Sequence, residues 1–200
     1  RKIPRDETDS HGPSPLIDNS VNQPIPLGTD MSSIIPPKPR LSAGTKVRIS
    51  IVAAKFNQEY TDALVENAVQ EIDSYTTNAR VDLVRVPGAF EIPVVCKALI
   101  EEEQPDCVIA LGCIIRGGTG HADLIATSVT DALQKLALDK TTPIIHEVLL
   151  VEDENQAYAR CIGKKLNRGR EAARSALEII EIMSEVRRAN QSLRLHPSNG

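Results

Sequence analysis

The spacing of apolar residues between positions 46 and 188 changes repeatedly, and each change predicts a new strand or helix. Four short segments rich in Val and Ile alternate apolar with polar residues or run continuously apolar, as strands do. These predicted strands are residues 47–54, 81–86, 107–115 and 143–151. Other segments carry apolar residues every three or four positions, as amphipathic helices do. These predicted helices are residues 60–75, 90–102, 122–138, 155–165 and 170–188.

Strands that alternate with helices predict the α/β fold class, because a helical crossover makes the two strands that it connects parallel. We therefore predict a doubly wound parallel sheet of four strands with helices on both faces, a three-layer αβα arrangement. Residues 107–115 are almost all apolar, which is typical of a central strand covered on both sides. Ligands of such sheets bind beyond the carboxyl ends of the strands.

Both ends of the chain lack this pattern, so we predict three segments. Residues 1–44 hold eight of the thirteen prolines and show no apolar period, which favours a disordered or extended segment. Residues 45–189 are the predicted folded domain, and residues 190–200 are a C-terminal tail. The first segment is too acidic for a typical transit peptide. We expect a cytoplasmic protein, with an organellar location as the alternative if this segment is a targeting remnant.

The composition is that of an ordinary globular protein and argues against several classes of partner. Hydrophobic residues make up 41% of the chain, charged residues 25%, and the formal net charge is -4. This charge predicts no nucleic-acid binding, and no apolar run approaches the roughly 20 residues that span a membrane. The four cysteines form no close C-x-x-C pair, so we expect reduced, buried thiols and no metal site.

The most informative segment is a glycine-rich corner between a predicted strand and a predicted helix. The apolar strand ends at Arg116, residues 117–120 contain three glycines, and His121 stands at the start of the next helix. Glycines let a ligand approach the backbone, and the N–H groups at a helix N-terminus attract anions. With an imidazole beside it, this corner predicts phosphate chemistry with proton transfer. The alternative is a tight turn with a surface histidine.

Other candidates also follow predicted strands and so lie at the same edge of the sheet. Phe56 is either a core side chain or a platform for a planar heterocycle. Glu91 is either an acid favoured by a helix dipole or an acceptor for ligand hydroxyls. Arg160 is either solvated or a phosphate ligand, and His146 is either a core histidine or part of the site.

Five separated motifs together resemble one known family. They are Phe56-Asn57, residues 86–93, residues 110–121, residues 156–160 and residues 167–173. The chain is similar to the 6,7-dimethyl-8-ribityllumazine synthase family over about residues 46–188. The resemblance implies a flavodoxin-like fold and a transferase of riboflavin biosynthesis. That reaction joins 5-amino-6-(D-ribitylamino)uracil to 3,4-dihydroxy-2-butanone 4-phosphate, releases phosphate and water, and uses no cofactor.

The resemblance also implies which residues bind the two substrates. The residues implied to bind the uracil are Phe56, Asn57, Ala89, Phe90, Glu91, Cys113, Ile114, Ile115 and His146. Among these, Phe56 stacks on the ring and Glu91 accepts from ribityl hydroxyls, while the backbone of 113–115 reads the ring edge. Those implied to bind the phosphate are Gly118, Thr119, Arg168 and, from a neighbouring subunit, Arg160. His121 is implied to be the general acid and base.

The resemblance further implies a homo-oligomer, either a pentamer or a sixty-subunit shell, and riboflavin synthase is a candidate partner. Two departures from the family pattern leave an alternative open. Ala122 stands where the family usually has an aromatic residue, and His146 stands where it commonly has phenylalanine. A structural or lumazine- or flavin-binding paralogue with weak or no catalysis is therefore the competing hypothesis.

Overall fold

The computed structural model describes Pro39 and residues 46–195, with side chains to residue 191, so the predicted segment 1–44 lies almost entirely outside the described residues. The four predicted strands are confirmed. They are β1 (Val47–Ala54), β2 (Ala79–Val86), β3 (Cys107–Ile115) and β4 (Ile144–Val151). They form one parallel sheet in the order β2-β1-β3-β4. The predicted three-layer α/β fold is confirmed as well.

Five helices cover the two faces of this sheet in the part of the chain that is described. They are α1 (Gln58–Tyr75), α2 (Ile92–Glu102), α3 (His121–Lys140), α4 (Glu154–Cys161) and α5 (Arg168–Leu195). Alternate side chains of each central strand face opposite layers, because side chains alternate across a strand. Ile109 of β3 belongs to an apolar cluster with residues of α1, α4 and α5, whereas Val108 belongs to a second cluster with residues of α2 and α3. The chain thus buries two separate apolar layers, one on each face.

The ends of several helices differ from the predicted ends, and local backbone chemistry explains why. The predicted helix 90–102 divides into a 3₁₀ turn, Ala89–Glu91, followed by α2. The helix α4 ends before residue 165, because Gly163 donates its N–H to the Tyr158 carbonyl at 2.8 Å and closes the last turn. The helix α5 continues into the predicted tail 190–200 and ends at Leu195, since no proline occurs between its first residue and Pro197.

The prediction of buried, reduced thiols is confirmed, because all four cysteines are buried and none forms a disulfide. They are Cys96, Cys107, Cys113 and Cys161. Burial raises the pKa of the Cys96 thiol to about 12, so this sulfur stays protonated at neutral pH. Among residues 46–195, no helix combines the length and apolar character needed to cross a bilayer.

Candidate functional site

A cleft of about 410 Å³ opens at the carboxyl ends of β1 and β3, where the doubly wound topology predicts a ligand. This volume falls within the range of small-molecule sites. Its lining is formed by Ala54, Phe56, Asn57, Gly88, Ala89, Phe90, Glu91, Cys113, Ile114, Ile115, Gly117, Thr119, His121, Ala122 and Ile125. Ten predicted site residues therefore lie around one space.

Asn57 connects two sides of this cleft. It is the N-cap of α1 and has left-handed backbone angles, with φ of 55°, a conformation that asparagine tolerates better than most residues. Its side-chain amide donates to the Cys113 carbonyl at 2.8 Å. This bond holds the loop after β1 against the end of β3, and so fixes the base of the cleft.

Both phenylalanines of the chain lie in the cleft wall and expose most of their rings. Phe56 is 72% exposed and Phe90 is 57% exposed. The alternative that Phe56 is a core side chain is therefore unsupported in this protomer, because the ring of a core phenylalanine would be buried. Exposed aromatic faces beside a cleft are suited to stack on a planar, uncharged ring.

The 3₁₀ turn places a carboxylate in the cleft and fixes its direction. One oxygen of Glu91 accepts from the backbone N–H of Gly88 at 2.9 Å, as in a capping box. A carboxylate can accept several hydrogen bonds, so this contact leaves acceptor capacity on Glu91 for hydroxyl groups of a ligand.

The glycine-rich corner forms the other side of the cleft, between β3 and the first residue of α3. Gly117, Thr119 and His121 line the cleft, while Gly118 lies between lining residues without being one. A methyl group added at Gly117 or Gly118 would meet no atom within 4 Å. The corner is therefore open to a ligand, and the N-terminus of α3 favours an anion there.

Besides Gly118, three predicted residues do not line the cleft. His146 sits early in β4, with its Nε2 2.9 Å from the hydroxyl of Thr130, and burial lowers its pKa. Arg160 is partly buried in the last turn of α4. Arg168 begins α5 and pairs with Glu171. A single protomer does not bring these three side chains to Phe56 and His121.

Four lining residues were not predicted, namely Ala54, Gly88, Ala122 and Ile125, and Gly117 was predicted only as part of the glycine-rich corner. Helical spacing could have predicted Ile125, because it follows His121 by four residues and residues four apart lie on the same face of a helix. Ala54 and Gly88 directly neighbour predicted elements of the site but have no chemical signature of their own.

Glu147 on β4 does not line the cleft, but folding strongly raises the pKa of its carboxyl group. It is partly buried on β4, and burial raises its pKa from 4.5 to about 7, with Arg168 opposing the shift and Glu171 adding to it. A carboxyl whose pKa is raised by folding stabilises the fold below its unfolded pKa, and this stabilisation is lost as pH rises through 7.

Glu147→Gln should therefore be more stable than wild type at pH 8, by about 2 kcal/mol at roughly 1.4 kcal/mol per pKa unit, allowing for partial exposure. At pH 4.5 the two proteins should have similar stability. Thermal midpoints at both pH values measure this. Glu178→Gln, which changes an exposed carboxyl on α5, is the control. A Glu147→Gln protein with the wild-type pH dependence would contradict the assignment.

The doubly wound sheet and the cleft at its strand ends define an α/β protein with a candidate site for a small molecule. Residues 46–184 match the family model described as 6,7-dimethyl-8-ribityllumazine synthase. The protein of that name from Thermococcus kodakarensis is 42% identical over 72% of this chain and 91% of its own length. The one from Methylibium petroleiphilum is 40% identical over 72% and 88%. The chain belongs to the 6,7-dimethyl-8-ribityllumazine synthase family.

Proposed function

We propose that this protein catalyses the condensation of 5-amino-6-(D-ribitylamino)uracil with 3,4-dihydroxy-2-butanone 4-phosphate, a transferase reaction of riboflavin biosynthesis. The observation that carries the proposal is one cleft lined by an exposed aromatic ring, a carboxylate, an open glycine corner and a histidine. Family membership supports the same reaction, since the matched relatives carry the synthase name. A paralogue without catalysis is not favoured.

Within this reaction, Phe56 stacks on the uracil ring and Glu91 accepts hydrogen bonds from the ribityl chain. The exposure of Phe56 and the free acceptor capacity of Glu91 support these roles. The last three residues of β3 line the same cleft and offer backbone groups to the ring edge. The uracil substrate thus lies along the strand ends, with its ribityl chain toward the 3₁₀ turn.

The butanone phosphate occupies the glycine corner in this proposal. Backbone N–H groups near Gly118 and Thr119 bind its phosphate at the start of α3. His121 lies at the junction of the two substrate positions and transfers protons between the reacting amine, the carbonyl oxygen and the solvent. The protein's own groups therefore supply binding, alignment and proton transfer.

We further propose that the site is completed by a neighbouring subunit of a pentamer. Arg160, Arg168 and His146 lie outside the cleft of their own protomer, which supports their use in an adjacent one. A ring in which each chain contributes to the next site needs head-to-tail interfaces that close. The family resemblance supports a sixty-subunit shell as a larger assembly and riboflavin synthase as a partner, and the acidic first segment supports a cytoplasmic location.

Lumazine formation by the purified protein tests the proposed reaction directly. The expected result is product and phosphate released in equal amounts from the two substrates. Binding of lumazine without turnover would favour the paralogue. Native mass spectrometry on the same sample tests the assembly, and an active monomer would contradict the shared site.

Arg160→Ala should lower kcat/KM for the butanone phosphate about ten- to a hundredfold, because hydrogen bonds to a charged partner contribute about 1.5–3 kcal/mol. The KM for the uracil should change little. Arg160→Lys should be intermediate, since lysine keeps the charge but not the planar fork. Arg48→Ala, at the amino end of β1, is the control. Equal losses for both substrates would argue against a phosphate-binding role.

A further inference from the structure

The glycine-rich corner that would hold the phosphate is connected to the rest of the fold chiefly at its two ends. Added methyl groups at Gly117, Gly118 and Gly120 would meet no atom within 4 Å, so these positions have no packing partners there. Gly120 is the N-cap of α3, and because glycine has no side chain, it makes no capping hydrogen bond that would hold the helix end. A flexible glycine segment has high conformational entropy, so the position of α3 depends on contacts on either side of it.

Arg116 makes the contacts at both ends. It is the last residue before the corner, and its backbone N–H donates to the Val151 carbonyl at the end of β4 at 2.9 Å. Its Nη2 donates across the corner to Asp123, in the first turn of α3, at 2.5 Å. Its Nη1 donates to Glu152, which follows β4.

One guanidinium therefore connects three elements around the corner: the end of β3, the start of α3 and the residue after β4. A planar fork can satisfy two carboxylates at once, which a lysine ammonium does less well. Asp123 lies two residues after His121 in the same helical turn. A displaced Asp123 would therefore carry the imidazole with it.

We propose that Arg116 is a positioning residue that sets the place of His121 through its bridge between Asp123 and Glu152. This inference rests on the proposed condensation reaction. The Arg116 side chain is 38% exposed and its two partners about half exposed. Exposed ion pairs contribute little to stability, so the role is one of alignment rather than of folding.

Alignment errors are costly in a reaction that joins two substrates, since a displacement of about 1 Å can lower the rate about a hundredfold. Arg116→Ala should lower kcat about ten- to a hundredfold while its thermal midpoint stays near that of wild type. Arg48→Ala is the matched control, because Arg48 has similar exposure and pairs with Glu103 at the opposite end of the sheet.

The decisive experiment combines Arg116→Ala with His121→Ala and measures kcat for the two single variants and the double variant. If Arg116 acts through His121, the double variant should be about as slow as His121→Ala alone. Losses that multiply would show that Arg116 acts independently of His121 and would overturn the inference. If Arg116→Ala lowers the thermal midpoint, Asp123→Ala replaces it, because it removes only the contact to α3.

The wild-type assay separates failure of the inference from failure of the proposed reaction. A wild-type protein that forms no lumazine would overturn both. An active wild type with a fully active Arg116→Ala variant would overturn only the role of Arg116. Arg116→Lys should recover part of the lost kcat, since lysine can still pair with one of the two carboxylates.

Discussion

Replacing His121 by alanine should lower kcat by about 10²–10⁴-fold, the usual contribution of general acid–base catalysis. The KM for each substrate should change much less, because other groups lining the cleft supply binding. Some turnover should remain, since holding two substrates in register supplies a further large part of the rate enhancement. Steady-state rates with each substrate varied in turn provide the measurement.

The pH dependence of the same variant distinguishes a proton-transfer role from a structural one. A side chain that transfers protons makes kcat depend on pH, so His121→Ala should lose a pH dependence of kcat that the wild type shows. His121 is exposed at the start of α3, so its removal leaves no cavity in the core. A His121→Ala protein with wild-type turnover would contradict the assignment.

Much of the fold could be predicted because each face of the sheet imposes a period on the sequence. The run of apolar residues in β3 indicated a central strand, and the structure places β3 between β1 and β4. Helix ends were less predictable, because they depend on single contacts. The Gly163 hydrogen bond that ends α4 and the separate 3₁₀ turn before α2 have no periodic signal.

The candidate site was predictable where it depends on strand order and less so where it depends on other parts of the fold. Phe56, Glu91 and His121 follow three strands, so a parallel sheet brings them to one edge. His146 does not follow a strand but lies within β4, and Arg160 lies at the far end of α4. Whether these two reach a substrate depends on an interface that the sequence pattern does not describe.

Gly169→Ala should destabilise the protein by about 3 kcal/mol, the upper part of the range for overpacking. A methyl group at this position would lie 2.4 Å from the Leu64 carbonyl oxygen and 3.1 Å from the Asn67 Cβ. The first of these atoms belongs to the backbone of α1, so it cannot rotate away. The start of α5 must then move away from α1.

Movement of α5 would also disturb the hydrogen bonds of Asn167, the residue that directly precedes this helix. The Asn167 side chain is buried, donates to the carbonyls of Cys161 and Gly163, and accepts from the N–H of Arg170. A shift of α5 weakens these bonds, and an unpaired buried polar group costs about 1–3 kcal/mol.

Gly169→Ala is an informative test because the expected change in stability is opposite to the usual one. In an ordinary helix interior, replacing glycine by alanine stabilises the protein by about 0.5–1 kcal/mol. Thermal midpoints at one protein concentration provide the measurement, since the proposed assembly would make stability depend on concentration. Gly117→Ala is the matched control, because its methyl group would meet no atom within 4 Å, and its midpoint should stay near wild type. A Gly169→Ala protein as stable as wild type would show that α1 and α5 do not pack this closely in solution.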